Sequence, residues 1–451
     1  MKCPSDILKT FDFDKIVLKL CSLAVCPVTR ELLARLEPAP TVEEANQRLT
    51  TVQQYQEMIT FDGNIDFRGL SDLRTIYQKM SIAGSLLPGE EIIRFLDFLL
   101  LCERTRQFFL EKNLKNKYSL LQDLFLEIGH FEGWIKKINS IMAPDGQILD
   151  RASEKLFTIR KRIQQIHEKI RITIDALLRN RDLSPMMQDQ TFTIRRGRYV
   201  IPIKSEFRHR VEGLVVDYSS SGSSVFIEPK SLLFLNNELE VLTIQEGEEI
   251  ERILRHLTAS LAPSLPDFEK AFQRLITLDS LQAKARLGQL WNADIPVIGG
   301  EELLIRKGRH PLLGERAVPF NLQLTPEKKI MIISGPNAGG KTVLLKSLAL
   351  IVYLAICGVP VPVDRGSRIP FYQTLYIDIG DHQDIEQNLS TFSSRLLSLQ
   401  SSLVQASKES LFLIDEIGAG TDPNEGSALG IGIISYLLEH GSTGVFTTHL
   451  P

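Results

Sequence analysis

A glycine-rich segment near residue 335 has the residue types and spacing of a phosphate-binding loop. The pattern Gly335-x4-Gly340-Lys341-Thr342 follows an apolar stretch that predicts a strand, and it precedes an apolar stretch that predicts a helix. A structural glycine turn is the alternative, but this strand-loop-helix context favours phosphate binding because amides at a helix N-terminus attract negative charge. The residues predicted to hold the nucleotide are Gly335, Pro336, Asn337, Ala338, Gly339, Gly340, Lys341 and Thr342.

Lys341, Thr342 and two adjacent carboxylates could together perform phosphate chemistry with Mg²⁺. We expect Lys341 to reach the β- and γ-phosphates of ATP and the Thr342 hydroxyl to bind the metal. Asp415 and Glu416 end the segment LFLIDE, whose apolar residues predict a buried strand. Asp415 is predicted to hold Mg²⁺ directly or through water, and Glu416 to orient or deprotonate the attacking water. Buried neighbouring carboxylates are costly without a cation, which argues against a purely structural role.

Other polar residues follow predicted strands in the same region. His449 ends the segment GVFTTH and is a candidate sensor of the γ-phosphate, with a structural histidine as the alternative. Gln383 lies in GDHQD between the two motifs, where ABC-type ATPases carry a glutamine that contacts Mg²⁺ or water. Ser390 and Thr391 open a predicted helix, so Ser390 is either an N-cap or part of a helix N-terminus directed at a phosphate across a dimer.

The elements that must position these residues predict a multidomain protein. Short apolar segments at 329–334, 374–378, 411–415 and 444–448 alternate with helices, as in a parallel sheet covered by helices. The predicted domains are an all-α core or lever domain at 1–148, an outgoing arm helix at 149–183, a β clamp at 184–233, returning arm helices at 234–293 and an α/β P-loop ATPase domain of the ABC type at 294–451.

Two apolar stripes predict an antiparallel coiled arm. The first stripe contains Ala152, Leu156, Ile159, Ile163, Ile166, Ile170 and Ile174, and the second contains Leu235, Leu239, Leu242, Ile250, Ile253 and Leu257. The spacing is close to a heptad repeat, which is typical of helices that pack along their length. Glu246 interrupts the second stripe.

A basic cluster lies between the two arm helices, in a segment that predicts short strands. The residues predicted to contact nucleic-acid phosphates are Arg195, Arg196, Arg198, Lys204, Arg208 and Arg210. A solvated charged surface is the alternative, but a basic cluster on a compact β element is typical of phosphate binding. The formal net charge of −3 argues neither for nor against nucleic acid, since partners respond to local patches.

The motifs together resemble the MutS superfamily. GPNAGGKT, GDHQDIEQNLSTFSSRL, LFLIDEIGAGTDPNEG and TTH occur in the order of that family's ATPase domain, and RHPLL at 309–313 matches its entry. STF stands where transporter ATPases have an LSGGQ-type signature. RRGRYVIPIK, SSSGSSVFIEP and LNNELEVL resemble the arm and clamp of the second bacterial paralogue, which is associated with suppression of recombination. The chain also starts directly in the helical core, without the mismatch-recognition modules of the repair proteins.

The resemblance implies an ATP-dependent clamp on branched or recombining DNA, with Mg²⁺ as cofactor, that is a homodimer in its full-length form. The N-terminus lacks the apolar core of a secretion signal, and the longest apolar stretch, 347–363, is too short for an unaided membrane span, so we expect a cytoplasmic protein. The family's ATPase domain continues beyond the histidine motif, so we expect this sequence to be truncated before the dimerising helices, a coiled linker and the small nuclease domain. The family's endonuclease activity would need that last domain.

Three alternatives remain at this point. The resemblance also implies an ATPase that binds ribosomal RNA at collided ribosomes and splits their subunits, and this role and the DNA role could belong to one protein. A chromosome-organising ATPase is disfavoured because its coiled coil lies between the two nucleotide motifs, whereas here it precedes both. A transporter subunit is disfavoured by the missing LSGGQ-type signature.

Overall fold

The computed structural model of the 451-residue chain describes residues 5–220, 222–335, 340–379, 399–418 and 422–449. The helices are α1 (Ser5–Thr10), α2 (Phe13–Leu23), α3 (Pro27–Ala34), α4 (Val42–Phe61), α5 (Arg74–Ser81), α6 (Gly89–Glu111), α7 (Ser119–Leu126), α8 (Glu132–Ile141), α9 (Glu154–Leu178), α10 (Lys230–Leu261), α11 (Leu265–Leu290), α12 (Lys341–Ile356) and α13 (Pro423–Glu439). The strands are β1 (Thr193–Arg195), β2 (Arg198–Lys204), β3 (Gly213–Tyr218), β4 (Ser224–Pro229), β5 (Val297–Ile298), β6 (Leu303–Gly308), β7 (Phe320–Leu324), β8 (Ile330–Ser334), β9 (Arg368–Ile369), β10 (Thr374–Asp378), β11 (Ser410–Ile414) and β12 (Thr443–Thr448).

The chain forms two compact units, and each combines separate stretches of sequence. The first unit contains residues Met1–Asp72, Leu101–His130 and Lys270–Pro451, and the second contains Leu73–Leu100 and Phe131–Glu269. The prediction of a multidomain protein that mixes helices with sheets is confirmed. The individual domain boundaries proposed from the sequence stay predictions.

The first unit contains a parallel sheet in the order β10-β11-β12-β8. Leu411 and Leu413 of β11 and Val445 of β12 share one hydrophobic core with α12, whose residues from Ser347 to Ile356 are all buried. A second sheet in the same unit has the order β5-β9-β6-β7. Burial on both faces explains why β11 appears in the sequence as a continuous apolar run rather than an alternating one.

The second unit contains α9 and α10, which pack in opposite directions along their length. Ile166, Ile170 and Ile174 of α9 form a buried cluster with Leu232 and Leu239 of α10. Ion pairs cross the seam: Arg160 binds Glu246 at 2.7 Å, and Arg162 binds Glu238 at 2.6 Å. Glu246 therefore interrupts the apolar stripe because it pairs with an arginine of the facing helix. α9 ends at Leu178, before the predicted end of the arm helix.

The segment between α9 and α10 folds as an antiparallel sheet in the order β1-β2-β4-β3. Arg196 and Gly197 connect β1 to β2, with φ of 52° and 74° respectively. Positive φ at both central residues is the geometry of a type I′ hairpin turn, and glycine at the second position favours it. The sequence predicted short strands at 199–203, 214–218 and 224–227, which correspond to β2, β3 and β4, but it did not predict β1, which is only three residues long.

Candidate nucleotide-binding site

The functional residues of the first unit meet at the carboxyl edge of its parallel sheet. Gly335 follows β8, Asp415 follows β11, His449 follows β12, and Asp378 ends β10. Parallel strands that are buried on both faces leave this edge available for ligands, and side chains there come from segments distant in sequence. β12 lies between β11 and β8, so its end separates the two nucleotide motifs.

Lys341 begins the helix that follows the glycine-rich loop. Gly340 precedes it with a φ of 78°, and Gly335 has a φ of 135°, both values that glycine adopts without strain. The Lys341 ammonium donates to the carbonyl oxygens of Gly335 and Thr448, the latter at 3.2 Å. Its side chain is only 5% exposed. Lys341 thus joins the ends of β8 and β12 at the base of the site.

Asp415 lies at the centre of a hydrogen-bond network between three elements. The Thr342 hydroxyl donates to Asp415 Oδ2 at 2.6 Å, and the Thr447 hydroxyl donates to Asp415 Oδ1. The Asp415 backbone N–H donates to the Asp378 carbonyl oxygen at 2.8 Å. The carboxylate is 8% exposed, and its position is set by α12, β12 and β10 together.

Glu416 has a left-handed backbone conformation, with a φ of 53°. This is uncommon for a residue with a long side chain, and such strain concentrates where function requires a side chain to be directed precisely. The Glu416 N–H donates to the Thr447 hydroxyl at 2.8 Å. Glu416 Oε1 lies 3.3 Å from His449 Nε2, and both side chains are partly exposed. The two residues therefore face the accessible side of the site, above buried Asp415.

Gly418, two residues after Glu416, approaches Gly426 of α13 closely. A Cβ at Gly418 would overlap the carbonyl of Gly426, and a Cβ at Gly426 would overlap the carbonyl of Gly418. Gly418 also has a φ of 80°. Since neither position accepts a side chain without backbone movement, Gly418 and Gly426 hold the chain next to Glu416 in place.

The described residues fit a nucleotide and Mg²⁺. Within the described part of the chain, buried Lys341 forms no ion pair with a carboxylate, so its charge is available to a phosphate. Thr342 and Asp415 bring two oxygen ligands together, which is the ligand type that Mg²⁺ prefers. No cluster of three or more His, Cys, Asp or Glu that could hold a metal occurs among the described residues.

Several predicted site residues lie outside the described ranges. These are Pro336, Asn337, Ala338 and Gly339 of the glycine-rich loop, together with Gln383, Ser390 and Thr391. Their roles stay predictions.

Thr447 was missed by the sequence reasoning, although it contacts both carboxylate residues. It lies in the same TTH segment as His449, within a strand whose residues are almost all buried. From the sequence we therefore interpreted it only as a buried strand residue. The available signal was a threonine near the end of an apolar strand, where the hydroxyl needs a partner.

The basic residues of the second unit differ sharply in their surroundings. Arg198 binds both oxygens of Glu228 at 2.9 and 3.0 Å and also binds Glu240 at 2.7 Å, so its guanidinium is held by carboxylates. Arg196 lies at the hairpin turn with 75% of its side chain exposed, and its distance to Asp217 is 3.9 Å. From the sequence we predicted that both arginines contact phosphates, whereas only Arg196 is exposed to solvent.

The remaining basic residues also have local contacts. The Arg195 guanidinium lies 4.5 Å from the centre of the Phe226 ring, and Lys204 donates to the Pro185 carbonyl oxygen at 3.1 Å. Arg208 and Arg210 are exposed; Arg208 contacts His209, and Arg210 lies 5.7 Å from the Phe207 ring centre. Among the described residues, Arg195, Arg196, Arg208 and Arg210 are therefore the exposed members of the predicted set that no carboxylate holds closely.

Comparison with known proteins shows which family this region resembles. MutS domain V matches residues 331–451, which include the whole site described above. The chain is 34% identical over 452 aligned residues to the protein named Endonuclease MutS2 of Bacillus velezensis, and 37% identical over 447 to that of Thermotoga neapolitana. These alignments cover 99% of this chain. The chain is similar to MutS2-type proteins of the MutS family along nearly its whole length.

The MutS2-type relatives are longer than this chain. The chain spans 57% of the Bacillus velezensis protein, 58% of the Thermotoga neapolitana protein and 56% of the one from Agathobacter rectalis, to which it is 35% identical. The endonuclease activity in the relatives' names therefore belongs to those proteins. Among the described helices of this chain, none is both long and apolar enough to cross a membrane.

Proposed function

We propose that this chain hydrolyses ATP and couples hydrolysis to a clamp on branched or recombining DNA, suppressing recombination rather than recognising mismatches. The observation that carries the ATPase proposal is the convergence of Lys341, Thr342, Asp415 and Glu416 at one sheet edge. The family resemblance and the exposed arginines of the antiparallel sheet support the DNA proposal.

In the proposed reaction Lys341 binds the β- and γ-phosphates of ATP. Thr342 and Asp415 hold Mg²⁺, which neutralises charge on the phosphate oxygens. Glu416 orients and deprotonates the attacking water, and His449, 3.3 Å from it, contacts the γ-phosphate. Gln383 would contact Mg²⁺ or water. Ser390 and Thr391 would bind the phosphate of a second copy, so that a homodimer completes each site.

The proposed DNA contacts are electrostatic and largely independent of sequence. Arg196 at the hairpin turn and the exposed Arg195, Arg208 and Arg210 would bind backbone phosphates. Such contacts release counterions, so affinity should fall steeply as salt concentration rises. Arg198 is left out of this set because Glu228 and Glu240 already hold its guanidinium.

The test measures ATP turnover and affinity for a four-way DNA junction with the same protein. Turnover that rises with junction DNA would support the coupling. A triple variant, Arg196→Ala with Arg208→Ala and Arg210→Ala, should bind the junction more weakly at moderate salt. The matched control is Lys19→Ala, which removes one exposed cation from the other compact unit. Unchanged junction affinity in the triple variant would contradict the clamp proposal.

Ribosomal RNA is the alternative partner, because phosphate charge is the same on RNA and DNA. Co-sedimentation with ribosomes in the presence and absence of competing junction DNA separates the two. Ribosome binding that junction DNA does not displace, together with weak junction affinity, would favour the ribosome role over the DNA role.

A further inference from the structure

An open cleft of about 650 Å³ lies where α9 meets the first hairpin of the antiparallel sheet. Its walls include His167, Glu168, Arg171, Asp175, Phe192 and Tyr199. The volume falls in the range of small-ligand sites. The cleft belongs wholly to the second compact unit and is separate from the nucleotide site.

The aromatic side of the cleft is held in a defined arrangement. The Phe192 and Tyr199 rings lie 5.7 Å apart at an angle of 35°, and 44% of Phe192 is exposed. The Tyr199 hydroxyl lies 3.0 Å from His167 Nδ1. Buried Asn236 exchanges two hydrogen bonds with the Tyr199 backbone, each 3.1 Å long. The ring pair therefore offers an exposed aromatic face on a rigid support.

The polar side of the cleft carries groups without partners of their own. Within the described residues, Glu168, Arg171 and Asp175 form no side-chain hydrogen bond or ion pair. They follow one another at three and four residues along α9, so they share one face of the helix. A guanidinium donates to the carbonyl oxygens and ring nitrogens of a base edge, whereas a carboxylate accepts from its amino groups.

The surroundings favour a nucleobase over a cationic side chain. Phe192 directly precedes β1, whose residue Ile194 pairs with Tyr199 across the strands and is also exposed. The Arg196 turn follows four residues after Phe192, about 13 Å along an extended strand. Arg171 lies between Glu168 and Asp175 on the helix, so the cleft offers a donor and acceptors together, which match a base edge better than a lysine or arginine that carries donors only. Arg196 beside the cleft would attract the phosphates attached to a base.

We propose that this cleft binds one unpaired nucleobase, which stacks on the exposed face of Phe192 while Arg171 and the two carboxylates contact its edge. The proposal rests on the proposed nucleic-acid binding and specifies it: the chain would favour DNA in which a base is unpaired, as at a gap or a branch point, over uninterrupted duplex.

The experiment uses the full chain and a DNA duplex with a gap of one nucleotide in one strand. The duplex carries 2-aminopurine, whose fluorescence is quenched by stacking. The variants are Phe192→Ala, Phe192→Trp as the rescuing aromatic, and Phe157→Ala as the matched control. Phe157 is an exposed phenylalanine of α9 that does not line the cleft. Thermal unfolding of each variant verifies that it is folded.

We expect the wild type, Phe157→Ala and Phe192→Trp to change the fluorescence of the gapped DNA on binding. Phe192→Ala should lose this change and bind gapped DNA roughly 5- to 150-fold more weakly, the range given by stacking one base on an aromatic ring. Its affinity for uninterrupted duplex should be unchanged. Equal fluorescence change and affinity in Phe192→Ala and wild type would overturn the proposal.

The two proposals fail in distinguishable ways. Tight binding of duplex and gapped DNA without a Phe192-dependent signal would overturn only the base site. If the wild type binds neither DNA but quenches 2-aminopurine in single-stranded RNA through Phe192, the base site stands and the DNA function falls. Absence of binding to both nucleic acids would overturn both.

Discussion

The Thr447 hydroxyl donates a hydrogen bond to the buried carboxylate of Asp415, joining the ends of β12 and β11. The same hydroxyl accepts from the backbone N–H of Glu416 at 2.8 Å. One side chain thus positions both the proposed metal ligand and the proposed base. The sheet order makes this possible, because β12 lies directly beside β11.

Replacing Thr447 with valine should lower ATP turnover about 10- to 100-fold, the usual effect of removing a group that orients a metal ligand. Valine keeps the shape but not the hydroxyl, so the Mg²⁺ concentration that gives half-maximal turnover should rise. Thr447→Ser should restore most of both properties. Turnover measured against Mg²⁺ concentration tests this, and equal curves for Thr447→Val and wild type would show that the hydroxyl is purely structural.

Glu416→Gln should abolish turnover while ATP binding persists. The amide keeps the size of the side chain but cannot accept a proton, and loss of a general base costs about 10²- to 10⁴-fold in rate. Equilibrium binding of a fluorescent ATP analogue and phosphate release are the two measurements. Glu409→Gln, an exposed carboxylate change just before β11, is the control and should leave both unaltered. Substantial turnover in Glu416→Gln would assign the base to another residue.

Replacing Arg196 or Arg198 with alanine should affect different properties, DNA binding for Arg196 and stability for Arg198. Arg198→Ala leaves Glu228, which is 1% exposed, without its bidentate partner, and it should lower the free energy of unfolding by about 3 kcal/mol. Arg196→Ala should leave the free energy of unfolding unchanged. It should reduce the slope of log DNA affinity against log salt concentration by about 1, the value for one lost phosphate contact. Denaturant unfolding and binding titrations at several salt concentrations separate the two effects. Equal stabilities of the two variants would contradict the assignment.

Glu249 should make the stability of the second unit depend on pH. The Arg252 side chain, aided by the Ser153 hydroxyl at 2.8 Å, holds the pKa of this covered carboxylate at about 2, below its ordinary value of 4.5. Because the folded-state pKa is lowered, the stabilisation is fully present above pH 4.5 and is lost as the pH falls towards 2.

Glu249→Gln tests this dependence. The wild type should be more stable than the variant at pH 7, and the difference in thermal midpoint should shrink at pH 3. A difference that stays constant between the two pH values would show that the Glu249 charge does not contribute in this way.

The sequence by itself determined the local parts of the candidate site. We could predict that the glycine-rich loop lies between β8 and α12 and that Asp415 follows β11. Each motif is contiguous, and the apolar pattern beside it predicts the neighbouring strand or helix. Predicted strand positions at 374–378 and 444–448 agree with β10 and β12 to within one residue. The apolar stripes likewise predicted the packed faces of α9 and α10, since heptad spacing depends only on neighbours along one helix.

Only the tertiary structure decided which of these residues meet. The order β10-β11-β12-β8 brings Thr447 between the two nucleotide motifs, and it depends on pairing between strands that are distant in sequence. The contrast between Arg196 and Arg198 arises in the same way, because Glu228 lies on a different strand, 30 residues from Arg198. The type of a residue determines what its side chain can bind. The partner that the side chain meets depends on long-range packing, which no local sequence pattern specifies.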